Sequence, residues 1–183
     1  MKYLTTIFFV LILMKATILT AQIKEDSWGV SLMVDPNQMI GIVDNPRTET
    51  ESFGFDYDLE AWVRYSHFGI YVYYGSFQEI NYQNYGAGVD YYVNWFKQSG
   101  IDLSLGINNG IIMRMDADGN WGALIAQAAR AKTTIWITKN IGGELRLQAQ
   151  RRPDLPKVKN GTILEGAIGI VIRFHRQPMR NRF

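Results

Sequence analysis

The chain has 183 residues, no cysteine, and 19 Lys and Arg against 17 Asp and Glu. Lys2 and Lys15 lie in an N-terminal segment that we expect to be removed, so 19 − 2 = 17 bases balance 17 acids in the remainder. The length suits one domain. A near-neutral chain offers no positive field to nucleic acid, and the absence of cysteine excludes disulfide and thiolate chemistry.

The N-terminus has the layout of a secretory signal peptide. Met1-Lys2-Tyr3 is a short basic start, Leu4–Leu19 is largely apolar, and Thr20-Ala21-Gln22 offers small residues for cleavage. We therefore predict a signal peptide over residues 1–21. An uncleaved helical anchor is the alternative, but the apolar run is short and Lys15 interrupts it.

Eight segments of the remainder alternate between apolar and polar residues. In the sequence from Ile101 to Asn108, Ile, Leu, Leu and Ile alternate with Asp, Ser, Gly and Asn. This period of two is typical of a strand whose faces meet different media. The alanine-rich stretch Ala123–Ala131 could be helical on propensity alone, but the β-branched residues after it favour a strand. The predicted strands are Trp28–Asp35, Phe53–Tyr65, Phe68–Phe77, Tyr85–Trp95, Ile101–Met113, Trp121–Thr138, Gly143–Gln150 and Thr162–Phe174.

The predicted connections alternate in length. The short ones are Ser66–His67, Lys97–Ser99 and Lys139–Gly142, and the longer ones are Pro36–Glu51, Gln78–Asn84 and Pro153–Asn160, with Asp116–Asn120 intermediate. Strands of about ten residues with short turns at one end and longer loops at the other are typical of transmembrane β-barrels. We predict an all-β fold over residues 22–174, an eight-stranded antiparallel up-and-down transmembrane barrel, followed by a basic tail over residues 175–183.

The apolar and polar faces of these strands give two sets of candidate site residues. Aromatic residues near the strand ends would form the girdles that flank a membrane-spanning barrel. The girdle residues are Trp28, Tyr65, Phe68, Trp95 and Phe174 at the short-turn end, and Phe53, Tyr74, Tyr85 and Trp121 at the long-loop end.

The polar face would supply a network of charges inside the barrel. Its members are Asp58, Glu60, Asp90, Asp102, Glu144 and Glu165 with Arg64, Arg130, Lys132, Arg146 and Arg173. The near balance of acids and bases favours an ion-pair network that fills a narrow lumen, because unpaired buried charges are costly. A simple hairpin register places Gln148 opposite Glu165 and Arg146 on the diagonal, within reach of that carboxylate. The alternative interpretation is a conducting or ligand-binding interior.

A soluble eight-stranded barrel of the lipocalin type would show the same alternation with its faces exchanged. Apolar residues would then line a ligand cavity, and polar residues would face water. Two features disfavour it. The polar face is rich in glycine with few lysines, and the apolar face is almost free of charge.

No pattern indicates catalysis, a metal site or a cofactor. His67 lies in a short turn and His175 follows the last strand, and the adjacent Ser66 and His67 do not by themselves make a nucleophile and base. Asp116–Asn120 resembles a fragment of a calcium loop, but Gln127 stands where the strongest ligand is expected. Asn160-Gly161-Thr162 matches the N-glycosylation pattern, but it is best interpreted as a turn.

From Trp28 to Phe174 the chain resembles the small eight-stranded outer-membrane barrels of the OmpA/OmpX type, through its signal peptide, eight alternating strands and apolar last strand ending in Phe174. The resemblance implies the outer membrane of a Gram-negative-type bacterium and contact with its lipid. It also implies insertion by the barrel-assembly machinery and a structural, surface-interaction or assembly role, with an unknown partner at the loops and no enzymatic activity. One departure is the basic segment His175–Arg182 that follows Phe174.

Overall fold

The computed structural model describes residues 26–36, 56–77, 82–93, 100–115, 121–151, 153 and 162–175. Eight strands pair in chain order, each antiparallel to the next, and β8 pairs with β1 to close a barrel. The strands are β1 Ser27–Val34, β2 Asp56–Tyr65, β3 Phe68–Phe77, β4 Tyr82–Val93, β5 Ile101–Met115, β6 Trp121–Trp136, β7 Ile141–Arg151 and β8 Thr162–His175. The predicted all-β architecture, an eight-stranded antiparallel up-and-down barrel, is confirmed. The predicted signal peptide at residues 1–21 and residues 176–183 of the predicted tail lie outside the described residues.

Several predicted element boundaries are wrong by one to three residues. Tyr82–Asn84 belongs to β4 rather than to a loop, Ile141 and Gly142 belong to β7 rather than to a turn, and β6 ends at Trp136. In β4 the error has a physical cause, since Asn84 points into a polar interior and is buried. Polar residues therefore continue the strand here instead of marking its end. The helical alternative for Ala123–Ala131 is also excluded, because pairing of β6 with β5 outweighs alanine's helix propensity.

The observed boundaries weaken the predicted contrast in connection length. We call the end with residues 66–67, 94–100 and 137–140 the turn end, and the opposite end the loop end. The connection at residues 78–81 of the loop end is shorter than the one at residues 94–100 of the turn end. The contrast therefore depends on the two long loop-end connections, residues 35–55 and 152–161.

The two faces of the sheet have opposite polarity. On β5, Leu105 points outward and is 54% exposed, whereas its neighbour Ser104 points inward and is 2% exposed. The same alternation places Val63, Ile70 and Ile170 on the outside, each at least 60% exposed. Charged residues occupy the inside, so the arrangement is the reverse of the soluble lipocalin-type barrel. No helix in the described residues is long and apolar enough to cross a membrane.

Bulky aromatic side chains are buried inside the barrel beside the charges. They are Trp62, Tyr71, Tyr73, Tyr92 and Trp136. The predicted register holds on β2 and β3, where Trp62 lies opposite Tyr71 and Glu60 opposite Tyr73. Room for Tyr71 comes from Gly88 on β4, because a β-carbon there would collide with the tyrosine ring and its hydroxyl group. Large side chains thus face glycine on the neighbouring strand.

This packing predicts different effects for two Gly→Ala substitutions. Gly88→Ala should lower the free energy of unfolding by about 1–3 kcal/mol, because the added methyl group overpacks the interior against Tyr71. Gly166→Ala is the matched control, since its β-carbon would meet nothing nearer than the Leu147 side chain at 3.8 Å. Reversible urea unfolding in lipid vesicles measures both changes. Equal losses would contradict the packing of Tyr71 on Gly88.

Candidate functional site: the charged interior of the barrel

The structure places all eleven charged residues of the sequence analysis inside the barrel. Ten of them are less than 9% exposed, and the Asp58 side chain is 24% exposed. Two further carboxylates, Asp35 and Asp56, are also buried at the loop end. Asp56 could have been found from the sequence, because it precedes Asp58 and Glu60 at the same period of two.

Arg130 of β6 lies at the centre of the network. Its guanidinium donates to Glu60 of β2 at 2.5 and 3.2 Å and to Asp90 of β4 at 2.9 and 2.6 Å. The same guanidinium stacks over the Tyr71 ring, 3.3 Å from its centroid. Arg130 therefore binds two carboxylates and one aromatic face at once, which fixes its position in the lumen.

Lys132 extends this centre toward β7. Its Nζ atom lies 2.8 Å from Glu60, 3.7 Å from Asp90 and 3.5 Å from Glu144. We call Glu60, Asp90, Arg130, Lys132 and Glu144 the central cluster. Three acids and two bases from four strands meet there with at most 6% exposure. Their desolvation is costly, so the cluster is stable only while each charge keeps its partners.

A second group of charges lies toward the turn end. Arg64 pairs with Asp102 at 3.0 Å, and the Trp136 indole nitrogen donates to the other carboxylate oxygen of Asp102 at 2.8 Å. Arg173 of β8 stacks over the Trp136 ring at 3.7 Å and donates to the backbone carbonyl of Lys139 at 2.8 Å. These contacts connect β2, β5, β6 and β8.

The third group lies toward the loop end and differs from the sequence expectation. The ion pair of Arg146 joins it to Asp58 of β2, across the lumen, whereas the sequence suggested its diagonal neighbour Glu165. Gln148 does lie opposite Glu165, as predicted. With its amide nitrogen turned toward Glu165, Gln150 donates to that carboxylate at 3.0 Å. At this end, carboxylates are therefore bound both by arginine and by side-chain amide groups.

The aromatic residues on the outer face gather near the ends of the strands. At the turn end, Trp28 stacks on Phe174 at 4.3 Å, and Phe68 meets Tyr91 edge-on at 5.5 Å. Tyr65 at this end is 71% exposed.

At the loop end, Tyr74 meets Tyr57 at 6.3 Å, and Tyr85 is 38% exposed. Tyr57 and Tyr91 were not among the predicted girdle residues. Phe53 and Trp95 lie outside the described residues, and of Trp121 only the backbone is described.

The described residues offer little that resembles a reaction centre. No group of three or more His, Cys, Asp or Glu side chains among them could hold a metal ion. Ser66 Oγ lies 2.9 Å from His67 Nδ1, but both belong to a two-residue turn, where the contact serves the turn itself. The predicted turn at residues 116–120 lies outside the described residues. What the charged interior can do chemically is hold charges together across the lumen.

Comparison with known proteins gives a match of fold. No protein-family model matches the chain, and no curated protein matches its sequence. Among solved structures, the N-terminal β-barrel domain of Pseudomonas aeruginosa OprF is similar with a TM-score of 0.54 and 10% identity, over 82% of this chain and 98% of that one. Neisserial surface protein A gives a TM-score of 0.54 and 14% identity, over 84% and 98%.

The outer membrane protein Ail of Yersinia pestis, in a phospholipid bilayer nanodisc, gives a TM-score of 0.52 and 9% identity, over 82% and 100%. The chain thus has the fold of eight-stranded outer-membrane barrels, as the resemblance implied. At these identities the likeness concerns the fold.

The central cluster predicts a coupling between Glu60 and Arg130. Glu60→Gln and Arg130→Met should each lower the free energy of unfolding by about 3–5 kcal/mol, because each removes one opposite charge from a buried cluster and leaves the remaining charges unbalanced. The double variant should lose less than the sum by about 1–3 kcal/mol. Urea unfolding in vesicles measures the cycle.

Glu60→Gln combined with Arg173→Met is the control cycle, since these two residues share no ion pair in the described structure. Their effects should add to within about 0.5 kcal/mol. Additivity in the Glu60–Arg130 cycle would show that the pair is not coupled.

Proposed function

We propose that this chain is an outer-membrane β-barrel protein of a Gram-negative-type bacterium, with a lumen closed by its ion-pair network and a structural, surface-interaction or assembly role. The observation that carries the proposal is the reversed polarity of a closed sheet. Large apolar side chains cover the outside, and paired charges fill the inside.

The outer surface suits lipid better than water. Soluble proteins rarely expose contiguous apolar patches of more than a few hundred Å², whereas here apolar side chains surround the barrel. On β7 the apolar face runs from Ile141 to Ala149, and Arg151 follows at the loop end. Eight residue steps cover roughly 27 Å along a strand. At a tilt of about 40° this gives a band of roughly 20 Å, near the ~25 Å typical of such barrels.

Closure of the sheet is the second support for a membrane location. Each strand has a hydrogen-bonded neighbour on both sides, because β8 pairs with β1. Backbone groups at an open sheet edge would be unsatisfied in hydrocarbon, so only helices and closed barrels span membranes. The fold shared with OprF, neisserial surface protein A and Ail fits the same location.

The interior favours a closed lumen over transport. An eight-stranded barrel is just wide enough for side chains to fill. Arg130 reaches from β6 to Glu60 on β2 and to Asp90 on β4, so one guanidinium joins three walls of the barrel. Tyr71 covers its face. We infer that these contacts leave no continuous water path, which argues against a general porin and against passage of small solutes.

A surface role fits the position of the long connections between strands. The two long connections, residues 35–55 and 152–161, lie at the same end of the barrel. That end would be extracellular if short turns face the periplasm, as is usual. A partner would then bind through these loops. During biogenesis the barrel-assembly machinery would insert the chain.

Insertion should depend on the depth of an introduced charge. Leu105→Arg places a cation within the apolar stretch Ile101–Ile107 of the outward face of β5, at a cost of about 2–4 kcal/mol near the membrane midplane. Asn109→Arg is the matched control on the same strand and face, where Asn109 already bonds Gln127 at 3.1 Å, and should cost about 0–1 kcal/mol near the interface.

Expression in a Gram-negative host, followed by density separation of the two membranes, measures the effect. Wild type and Asn109→Arg should be found in the outer membrane, and Leu105→Arg should be depleted from it. Wild-type chain in the soluble or inner-membrane fraction would contradict the proposal.

A closed lumen predicts that the folded protein conducts ions poorly. Reconstituted in a planar bilayer, wild type should show little or no steady current, because the central cluster and its aromatic neighbours occupy the bore. Glu60→Gln loosens the central cluster and is the variant for comparison. Its current should be at least as large as that of wild type. A large, stable wild-type conductance would overturn the closed lumen and make transport the leading function.

A further inference from the structure

A groove on the outer face of the barrel lies toward the loop end of β5, β6, β7 and β8. Its volume is about 340 Å³, within the range of about 300–1,000 Å³ that is usual for ligand sites. Exposed Ile107, Ala129 and Ala149 line it, and Gln127 and Arg151 line it one outward residue nearer the loop end. The groove is therefore apolar toward the middle of the barrel and polar toward the loop end.

The polar end of the groove is a row of four residues on four strands. Asn109 of β5 pairs with Gln127 of β6, and Arg151 of β7 pairs with Thr162 of β8. Continuing the β6–β7 register by one residue places Gln127 beside Arg151. All four are exposed and line the groove. Because neighbouring strands lie about 4.8 Å apart, the row spans roughly 14 Å, and one ligand can contact several of its members.

The row lies at the level where lipid headgroups would be. The outward apolar face of β7 ends at Ala149, and Arg151 is the next outward residue. In a barrel that spans a membrane, the end of the apolar band marks the headgroup region. The inference therefore rests on the proposed membrane location.

The apolar part of the groove continues along β6 toward the middle of the barrel. Ala131, the next outward residue after Ala129, lies between Leu105 of β5 and Leu147 of β7. The two leucines are 54% and 53% exposed, whereas Ala131 is half-buried. This part of the surface is therefore a furrow between two ridges, which suits an extended hydrocarbon chain.

The charge of the groove selects an anion. Arg151 is exposed there, and no Asp or Glu is among the described residues that line the groove. A guanidinium group binds phosphate with two parallel N–H donors. Beside it, Gln127 donates to Asn109 at 3.1 Å. Each amide nitrogen carries two donors, so this bond alone does not use them up.

A second copy of this chain is the other occupant that would cover an apolar face. In a two-fold contact centred on the groove, the same patch meets itself, so Arg151 of one copy would lie near Arg151 of the other. With no acid among the described lining residues, two cations would face each other where water is scarce, which is costly. Charge thus favours an anionic lipid.

We propose that the groove binds one phosphate-bearing lipid of the leaflet at the loop end. Arg151 holds the phosphate group, and the amide groups of Asn109 and Gln127 donate to its phosphate or ester oxygens. An acyl chain of the same lipid lies on Ala129 and Ala149. One side of the barrel thereby selects among lipids by headgroup.

The test uses the full, folded chain in phosphatidylcholine nanodiscs that contain increasing fractions of a lipid with a paramagnetic label on its acyl chain. The labelled lipid is phosphatidic acid in one series and phosphatidylcholine in the other. Broadening of the Ala129 and Ala149 methyl signals should give an apparent affinity about tenfold higher for phosphatidic acid, as expected for one hydrogen bond to a charged group. Ile170, outward on β8 and outside the groove, should be broadened equally by both lipids.

Three variants separate charge from groove shape. Arg151→Gln should remove the preference for phosphatidic acid. Ala149→Leu should weaken it at the Ala129 methyl group, because the larger side chain fills the groove. Lys139→Gln is the matched control, since Lys139 is an exposed cation at the turn end that does not line the groove, and the preference should remain.

Equal broadening of the groove methyl groups by the two lipids in wild type, with Ile170 broadened, overturns the lipid site and leaves the membrane location intact. A preference that Arg151→Gln retains or that Lys139→Gln removes also overturns it, as do cross-peaks from Ala129 to a second, differently labelled copy of the chain. If neither lipid broadens Ile170, the proposed membrane location fails together with the site. The wild-type comparison decides the matter even if a variant fails to fold.

Discussion

Arg130 and the two carboxylates that it binds are the interaction on which the rest of this barrel depends. A sheet whose outer face is apolar has to place its polar residues inside, where water is scarce and the desolvation of each charge is costly. Arg130 offsets that cost because it forms ion pairs with Glu60 and Asp90, which lie on separate strands. Lys132 adds a second cation to the same carboxylates. The charges that make the interior polar are thus the same charges that hold its walls together.

Aromatic side chains complete the interior because they supply volume as well as partners for cations. Arg130, Arg64 and Arg173 lie over Tyr71, Tyr92 and Trp136 respectively. Each ring needs room, and glycine on the adjoining strand provides it, as Gly88 does for Tyr71. Part of the glycine content of the polar face is therefore a packing requirement of the large rings. The proposed absence of a water path follows from this combination of charge pairing and volume.

The sequence predicts the fold well because one physical rule governs every strand. Apolar residues occupy one face of each strand and polar residues the other. A period of two in the sequence therefore identifies the strands and predicts which face each residue occupies, as for Leu105 and Ser104. The same rule misjudges Tyr82–Asn84, since polar residues end a strand in most soluble proteins but continue one here. Within a hairpin the register is also predictable, as the pairing of Gln148 with Glu165 illustrates.

Contacts across the lumen are beyond that rule. Arg146 meets Asp58 although β7 and β2 are not neighbours, and this pairing depends on how far strands shift along one another around the closed sheet. A local pattern holds no information on that shift.

A membrane-spanning barrel with a closed lumen has a lipid-facing outside and a dry inside, and two adjacent residues of β8 test both at once. Ile170 points outward and is 62% exposed, whereas Val171 points inward and is 0% exposed. In nanodiscs, a paramagnetic label on the lipid chains should broaden the methyl signals of Ile170, and a water-soluble paramagnetic chelate should leave Val171 unaffected. Broadening of Val171 by the chelate would mean an open, water-filled lumen. Broadening of Ile170 by the chelate but not by the lipid label would mean that the apolar face does not meet lipid.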